Sequence, residues 1–345
     1  MPFPLLGTIG SESRLLRGAD RRLASANGNG PVARMNRFLS VVLAVAVTAL
    51  CLWFLLTPDV LQSLRRIGTD AKPFPIVGAF LLCTLVQWLR AWRYSMMTAA
   101  NLDLPPSAMV RIACQANFLN FVLPFRLGEL GYPVLMQRRY GIRFLHATGV
   151  LLLARLFDLA AVGCIFLASA WALGMVPGVL NLLAAVSAVA LAIAPFGVAV
   201  AGQALRPYLV RLPYIGATIA EPLSAALDAL GNWRVRVAVV SVGFAIWLVL
   251  AWMAVLVAQA VVDTVPAMAA VIGGAASSLA FALPINGIAG IGPTQAAWVL
   301  ATVQAGVPWD DAVVSALALH AVVLVNAIAL GGLAMLPWPG DAAAK

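Results

Sequence analysis

Charge is what this chain has least of. Only 10% of its 345 residues are Asp, Glu, Lys or Arg, against about a quarter in soluble domains. Lysine is nearly absent, with 2 Lys beside 20 Arg. So little polar surface cannot coat a water-soluble fold of this size. Cysteine is sparse too: Cys51, Cys83, Cys114 and Cys164 are scattered through mostly apolar segments without Cys-x-x-Cys spacing. That pattern argues against disulfides and thiolate metal sites and leaves packing as their role. No His, Cys and carboxylate set has metal-ligand spacing, and neither Gly-x-Ser-x-Gly nor Gly-x-x-x-x-Gly-Lys occurs. The glycine-rich run from Gly287 to Gly292 looks like a nucleotide loop, but no strand or βαβ unit precedes it. No catalytic residue, metal or cofactor is therefore assigned. The longest polar stretches are residues 1–37 and 204–235, too short for a separate soluble catalytic domain.

What fills the chain instead is apolar sequence, 63% of the residues, at a mean hydropathy of +0.96. The expected fold is an all-α integral membrane protein. Apolar runs near 38–57, 74–97, 145–173, 177–203, 236–262 and 311–336 are each long enough to cross a bilayer, giving six full spans. Residues 1–37 form a basic polar tail with the run Asn27-Gly28-Asn29-Gly30, expected to be disordered; Met35 is an alternative start. Residues 38–337 read as one transmembrane domain and 338–345 as a short tail. The piece Gln87-Trp88-Leu89-Arg90-Ala91-Trp92-Arg93-Tyr94 reads as a membrane–water boundary, its arginines snorkelling to headgroups. The formal net charge of +9 requires no nucleic acid, because basic loops facing an anionic leaflet account for it.

Two stretches organise the remainder, and they are one motif written twice. The first runs from Phe121-Val122-Leu123-Pro124 to Pro133, and the second from Phe281-Ala282-Leu283-Pro284 to Pro293. Each holds Phe-x-Leu-Pro, a glycine-bearing run and a second proline at the same offset, inside a region where a helix would otherwise continue. Proline removes a backbone donor and glycine loosens the chain, so both stretches should break their helices. Pro124, Gly128, Pro284, Gly287, Gly290 and Gly292 are the expected hinge positions. Matched breaks in two halves point to a transporter's substrate site.

Basic residues around Arg138–Arg143 and across 204–235 place those loops and both termini in the cytoplasm. The turn near Gly174, Asp263 and the pair Asp310-Asp311 then face outward. Each broken segment becomes a re-entrant hairpin, and the halves near 74–173 and 236–336 become inverted repeats. Arg65, Arg66 and Lys72 sit on the wrong side of this arrangement.

Charges within spans are costly and usually mark function. Four stand out: Arg126 and Glu129 in the first break, and Arg155 and Asp158 in the span 145–173. Each pair is three residues apart, a spacing that permits a local ion pair. One reading is a polar pocket whose guanidinium groups hold an anionic headgroup; the other is a structural network pinning the hairpin. Asn117, Asn120, Asn286, Gln295, His320 and Asn326 are polar candidates to join it, although such residues more often bond helix to helix.

These residues resemble the lysylphosphatidylglycerol synthase transmembrane family, a group of flippase-like membrane domains. Its Leu-Pro-x-Arg-x-Gly-Glu signature is similar to Leu123-Pro124-Phe125-Arg126-Leu127-Gly128-Glu129, and a following basic pair with glycine to Arg138-Arg139-Tyr140-Gly141. Its Glu-Arg-x-x-Asp stands as Ala154-Arg155-Leu156-Phe157-Asp158, and its Gly-x-Gly-x-x-Glu as Gly290-Ile291-Gly292-Pro293-Thr294-Gln295, so two carboxylates of the pattern are absent. The resemblance covers about 40–335. It implies movement of an anionic lipid between leaflets of the inner membrane, either a modified phospholipid or a polyprenyl-phosphate-linked saccharide. On that reading Arg126, Glu129, Arg155, Asp158, Asn120, Asn286, Gln295 and His320 contact substrate, and a glycosyl or aminoacyl transferase is a candidate partner. The alternatives are a membrane glycosyltransferase or phosphotransferase using Glu129 and Asp158, or a scaffold that docks such an enzyme.

Overall fold

The computed structural model describes scattered positions between 45 and 62, then 71–98, 105–123, 128–209, 227–283 and 290–336; side chains at 203 and 205–209 are excluded. Nine helices are labelled here: α1 Pro73–Thr98, α2 Pro106–Val122, α3 Gly131–Tyr140, α4 Phe144–Ala172, α5 Val179–Leu209, α6 Trp233–Val261, α7 Ala267–Ala282, α8 Pro293–Gln304 and α9 Trp309–Met335. No strand occurs among the described residues. Five helices are long and apolar enough to cross a membrane: α1, α4, α6, α9 and, over Val179–Gly202, α5. The protein is an all-α, multi-pass membrane protein. The expected span at 38–57 falls largely outside the described residues.

Local sequence explains where the helices begin and end. Pro105 and Pro266 precede α2 and α7 with matching backbone angles, φ −62° and ψ 140° at both. Proline suits this place because its missing N–H would have had no intrahelical partner. The side chain of Asn232 accepts a bond from the Arg234 N–H at 2.9 Å and caps α6. At the end of α3, Gly141 adopts the left-handed conformation and Arg138 and Arg139 occupy the last turn, where cations complement the helix dipole. Asp310 and Asp311 do the converse in the first turn of α9.

Helix α2 has 17 residues and α7 has 16, about 25 Å each at 1.5 Å per residue. Neither alone crosses a hydrocarbon core of about 30 Å. Both stop where the sequence anticipates, at Leu123 and Leu283, whose extended angles (ψ 130° and 146°) end the helical ladder.

The helices divide into two sets of four, α1–α4 and α6–α9, and each packing in one set has its counterpart in the other. Helix α2 lies on α9 as α7 lies on α4; α1 meets α2 as α6 meets α7; α3 meets α4 as α8 meets α9. Helices α1 and α6 pack on one another in antiparallel register. The Lys72 N–H donates to the Ala260 carbonyl at 3.0 Å, Gly78 faces Leu256, and Gly243 faces Arg93. The exchange of halves therefore reverses direction. Helix α5 stands outside the pattern, packed on α4 and the edge of α6. Its other faces expose large apolar side chains such as Leu182, Val186, Val189 and Ile193, as a lipid-facing helix should.

Two further contacts tie the halves. Arg111 of α2 donates from Nε to the Ala334 carbonyl (2.7 Å) and from Nη2 to the Leu336 carbonyl (2.6 Å), while Gln115 Nε2 donates to the same Ala334 oxygen (2.6 Å). These bonds satisfy carbonyls that the end of α9 would otherwise leave orphaned. On the α1–α6 side, Lys72 pairs with Asp263 at 2.5 Å. Lys72 and Asp263 thus share one membrane face, and the lysine that disagreed with the charge rule has its counter-ion there.

Candidate functional site

The two broken helices meet at their C-terminal ends. Phe121 and Phe281, the equivalent first residues of the duplicated motif, stack with ring centroids 6.0 Å apart. Beside this contact lies a cavity of about 380 Å³, lined from α1, α2, α4 and α6–α9 and by Glu129 of the first break. The internal duplication runs through it. Gln87 and Trp247, separated in sequence by the same interval as the two phenylalanines, also line its wall. Arg126, Asn286, Pro124, Pro284 and Gly287 lie outside the described residues.

One wall is charged. Asp158 on α4 accepts two bonds from the Arg93 guanidinium on α1, at 2.7 and 3.0 Å, and Arg93 is fully buried. Trp247 Nε1 donates to the same carboxylate at 3.0 Å. Arg155, one turn before Asp158, reaches it at 3.4 Å and reaches Glu129 at 3.4 Å. The expected local pair between Arg155 and Asp158 is present, but the principal partner of Asp158 comes from another helix. A bidentate guanidinium–carboxylate pair is both strong and geometrically exact about orientation. Here it locks α1 to α4 beneath the cavity.

This corrects the reading of Arg90 and Arg93 as boundary residues. Arg93 is enclosed in protein, and Arg90 faces the cavity, its Nε without a hydrogen-bond partner among the described residues. The neighbouring tryptophans sit on the opposite face, with Trp88 and Trp92 more than half exposed. Helical spacing contains the distinction. Positions 87, 90, 93 and 94 fall on one side of α1 and positions 88 and 92 on the other. Reading the segment as one block of Trp, Arg and Tyr concealed it.

The breaks rest on glycine geometry. A Cβ at Gly128 would come within 2.2 Å of the Leu119 backbone, so only glycine lets the returning chain lie against α2 and carry Glu129 toward Arg155. In the second break, Gly290 and Gly292 have φ of 79° and 127°, both in the region that side chains oppose. Gln295 is buried, and its Oε1 accepts from the Gly292 N–H at 2.7 Å and from Thr294 Oγ1 at 2.8 Å. This expected substrate contact thus also braces the start of α8.

Among the other polar candidates, Asn117, Asn120 and His320 line the cavity. Phe121 meets His320 edge-on at 6.3 Å. Asn326 lies elsewhere: its Nδ2 donates to the Phe80 carbonyl and to Thr84 Oγ1 (3.2 and 3.0 Å), joining α9 to α1. Sequence reasoning missed Gln87, Arg90, Arg93 and Trp247, together with Ser277 and Ser278 on α7, which also line the space.

Among the described residues no group of three or more His, Cys, Asp or Glu is arranged to hold a metal ion. Arg90 and Arg155 line the cavity with Glu129 and Asp158, two formal positive charges to two negative. The buried Arg93 behind Asp158 adds a third positive charge, in surroundings where charge acts strongly. No individually curated protein matches the sequence. Residues 41–331 match the family described as the lysylphosphatidylglycerol synthase TM region, a stretch that holds every helix described here except the last residues of α9, and the chain belongs to that family.

Proposed function

We propose that this protein moves an anionic lipid, a modified phospholipid or a polyprenyl-phosphate-linked saccharide, between the leaflets of the inner membrane. The observation that carries the reading is the arginine-rich cavity beside the meeting point of two broken helices. A volume of about 380 Å³ suits a headgroup, with the tails left in the surrounding hydrocarbon. Arg155 and Arg90 take the phosphate, joined by Arg126. Asp158, held by Arg93 and Trp247, positions Arg155, and Glu129 balances it. Asp158, held by Arg93 and Trp247, lacks the freedom of a general base, which favours transport over glycosyl or phosphoryl transfer.

In this reading each short helix pair, α2 with α3 and α7 with α8, is a re-entrant hairpin entering from its own membrane face. The two halves, near 74–173 and 236–336, then rock against each other around the shared cavity. The termini and the basic loops at 138–143 and 204–235 face the cytoplasm, where a glycosyl or aminoacyl transferase could deliver the finished lipid.

The test is mass spectrometry of total lipids from cells with and without the gene, and with Arg155→Ala or Arg126→Ala in its place. Accumulation of a finished lipid precursor in the deletion and both variants, with membrane insertion intact, supports transport and names the cargo. Loss of a lipid product while its unmodified parent builds up would replace this reading with the enzyme.

A further inference from the structure

The polar groups of the cavity are not all suited to an anion. Three neutral side chains present buried atoms with no hydrogen-bond partner among the described residues: Gln87 Oε1, Asn120 Oδ1 and His320 Nε2. All three line the cavity, and Gln87 is 2% exposed. Ser277 and Ser278 lie on its α7 wall; Ser278 donates its proton to the Gly274 carbonyl at 2.7 Å, which leaves its oxygen as an acceptor. A buried acceptor without a donor costs as much as a lost hydrogen bond or more. An ionised phosphodiester has no proton to donate, so it can satisfy the arginines but not the Gln87 and Asn120 oxygens, while His320 Nε2 donates or accepts according to its tautomer.

A cationic headgroup could supply N–H donors, yet the charged wall is set against one. Asp158 already receives Arg93, Trp247 and Arg155, and Glu129 is paired with Arg155. Asp158 is thereby saturated, Arg155 neutralises Glu129 at 3.4 Å, and Arg93 behind the wall adds positive charge that disfavours an ammonium. The donor that suits both the acceptors and this charge is the neutral hydroxyl.

From this we infer that the headgroup bound here joins one phosphate to a neutral, hydroxyl-rich group such as a sugar or other polyol, and that aminoacylated, cationic headgroups bind less well. The phosphate lies toward Arg90 and Arg155. The hydroxyls donate to Gln87 and Asn120, and hydrogen-bond to His320 and the α7 serines. The inference rests on the lipid-headgroup reading above and narrows it to one of its two chemical classes.

Native mass spectrometry of the full-length protein in lipid nanodiscs would test this with four probes: phosphatidylinositol, phosphatidylmethanol, lysylphosphatidylglycerol and phosphatidylcholine. The first two share charge and differ in hydroxyls. Phosphatidylinositol should bind about tenfold more tightly than phosphatidylmethanol, the gain from one to two additional hydrogen bonds. Gln87→Leu should reduce that preference, weakening phosphatidylinositol more than phosphatidylmethanol, and Arg90→Gln should weaken both anionic probes. Equal binding of the two anionic probes, or preference for the lysyl lipid, overturns this inference and leaves anionic-lipid binding standing. Binding of neither anionic probe above phosphatidylcholine overturns the headgroup reading itself.

Discussion

The pair Arg93–Asp158 separates two accounts of the first described helix by magnitude. If Arg93 snorkelled to a headgroup, replacing it with alanine would remove a solvated charge, worth at most about 1 kcal/mol. In the structure its guanidinium is fully buried and gives two short bonds to a carboxylate that is itself almost wholly enclosed. Removing one member leaves the other charged and uncompensated in protein, a loss of roughly 3–5 kcal/mol. Arg93→Ala and Asp158→Ala should therefore both be severely destabilised. Arg155 and Trp247 soften the first loss, because both still donate to Asp158. The double replacement Arg93→Met with Asp158→Leu removes both charges while retaining apolar volume. It should be more stable than either alanine variant, since a well-packed apolar pair commonly equals or exceeds a buried ion pair. The assay is reversible unfolding in mixed detergent for wild type, the two alanine variants and the double replacement. A loss below about 1 kcal/mol for Arg93→Ala, or a double variant weaker than both singles, would refute the reasoning.

Two further outcomes follow from the geometry. Gly128→Ala places a methyl carbon within 2.2 Å of the Leu119 backbone, and backbone cannot swing aside as a side chain can. It should cost about 1–3 kcal/mol and displace Glu129, measurable as a lower unfolding midpoint and a weaker response to removal of Arg155. Arg111→Ala frees the Leu336 carbonyl and leaves that of Ala334 to Gln115 alone, at a cost of about 1–3 kcal/mol. It should speed amide hydrogen exchange in the last turn of α9 without altering exchange in α4; unchanged exchange there would show that these bonds contribute little.

Much of this protein follows from composition and local chemistry alone. Scarce charge and long apolar runs require a helical membrane protein, because only helices or closed barrels satisfy the backbone in lipid. The Phe-x-Leu-Pro runs mark where α2 and α7 must end, since proline and glycine act within a residue or two of their own position. The signatures around Glu129 and Arg155 were enough to suggest the family. Other features depend on which helix lies beside which. Arg93 and Asp158 are far apart in sequence, and neither carries a local sign of its partner; antiparallel packing of α1 on α6 and the approach of α4 bring them together. The same packing turns Gln87 and Arg90 from boundary residues into cavity wall, sets Trp247 beside them, and gives Lys72 its counter-ion in Asp263. Periodicity could have told which face of α1 was polar, but not what that face would meet. A helix face is a property of spacing, whereas the partner of a buried charge is decided by contacts between distant segments.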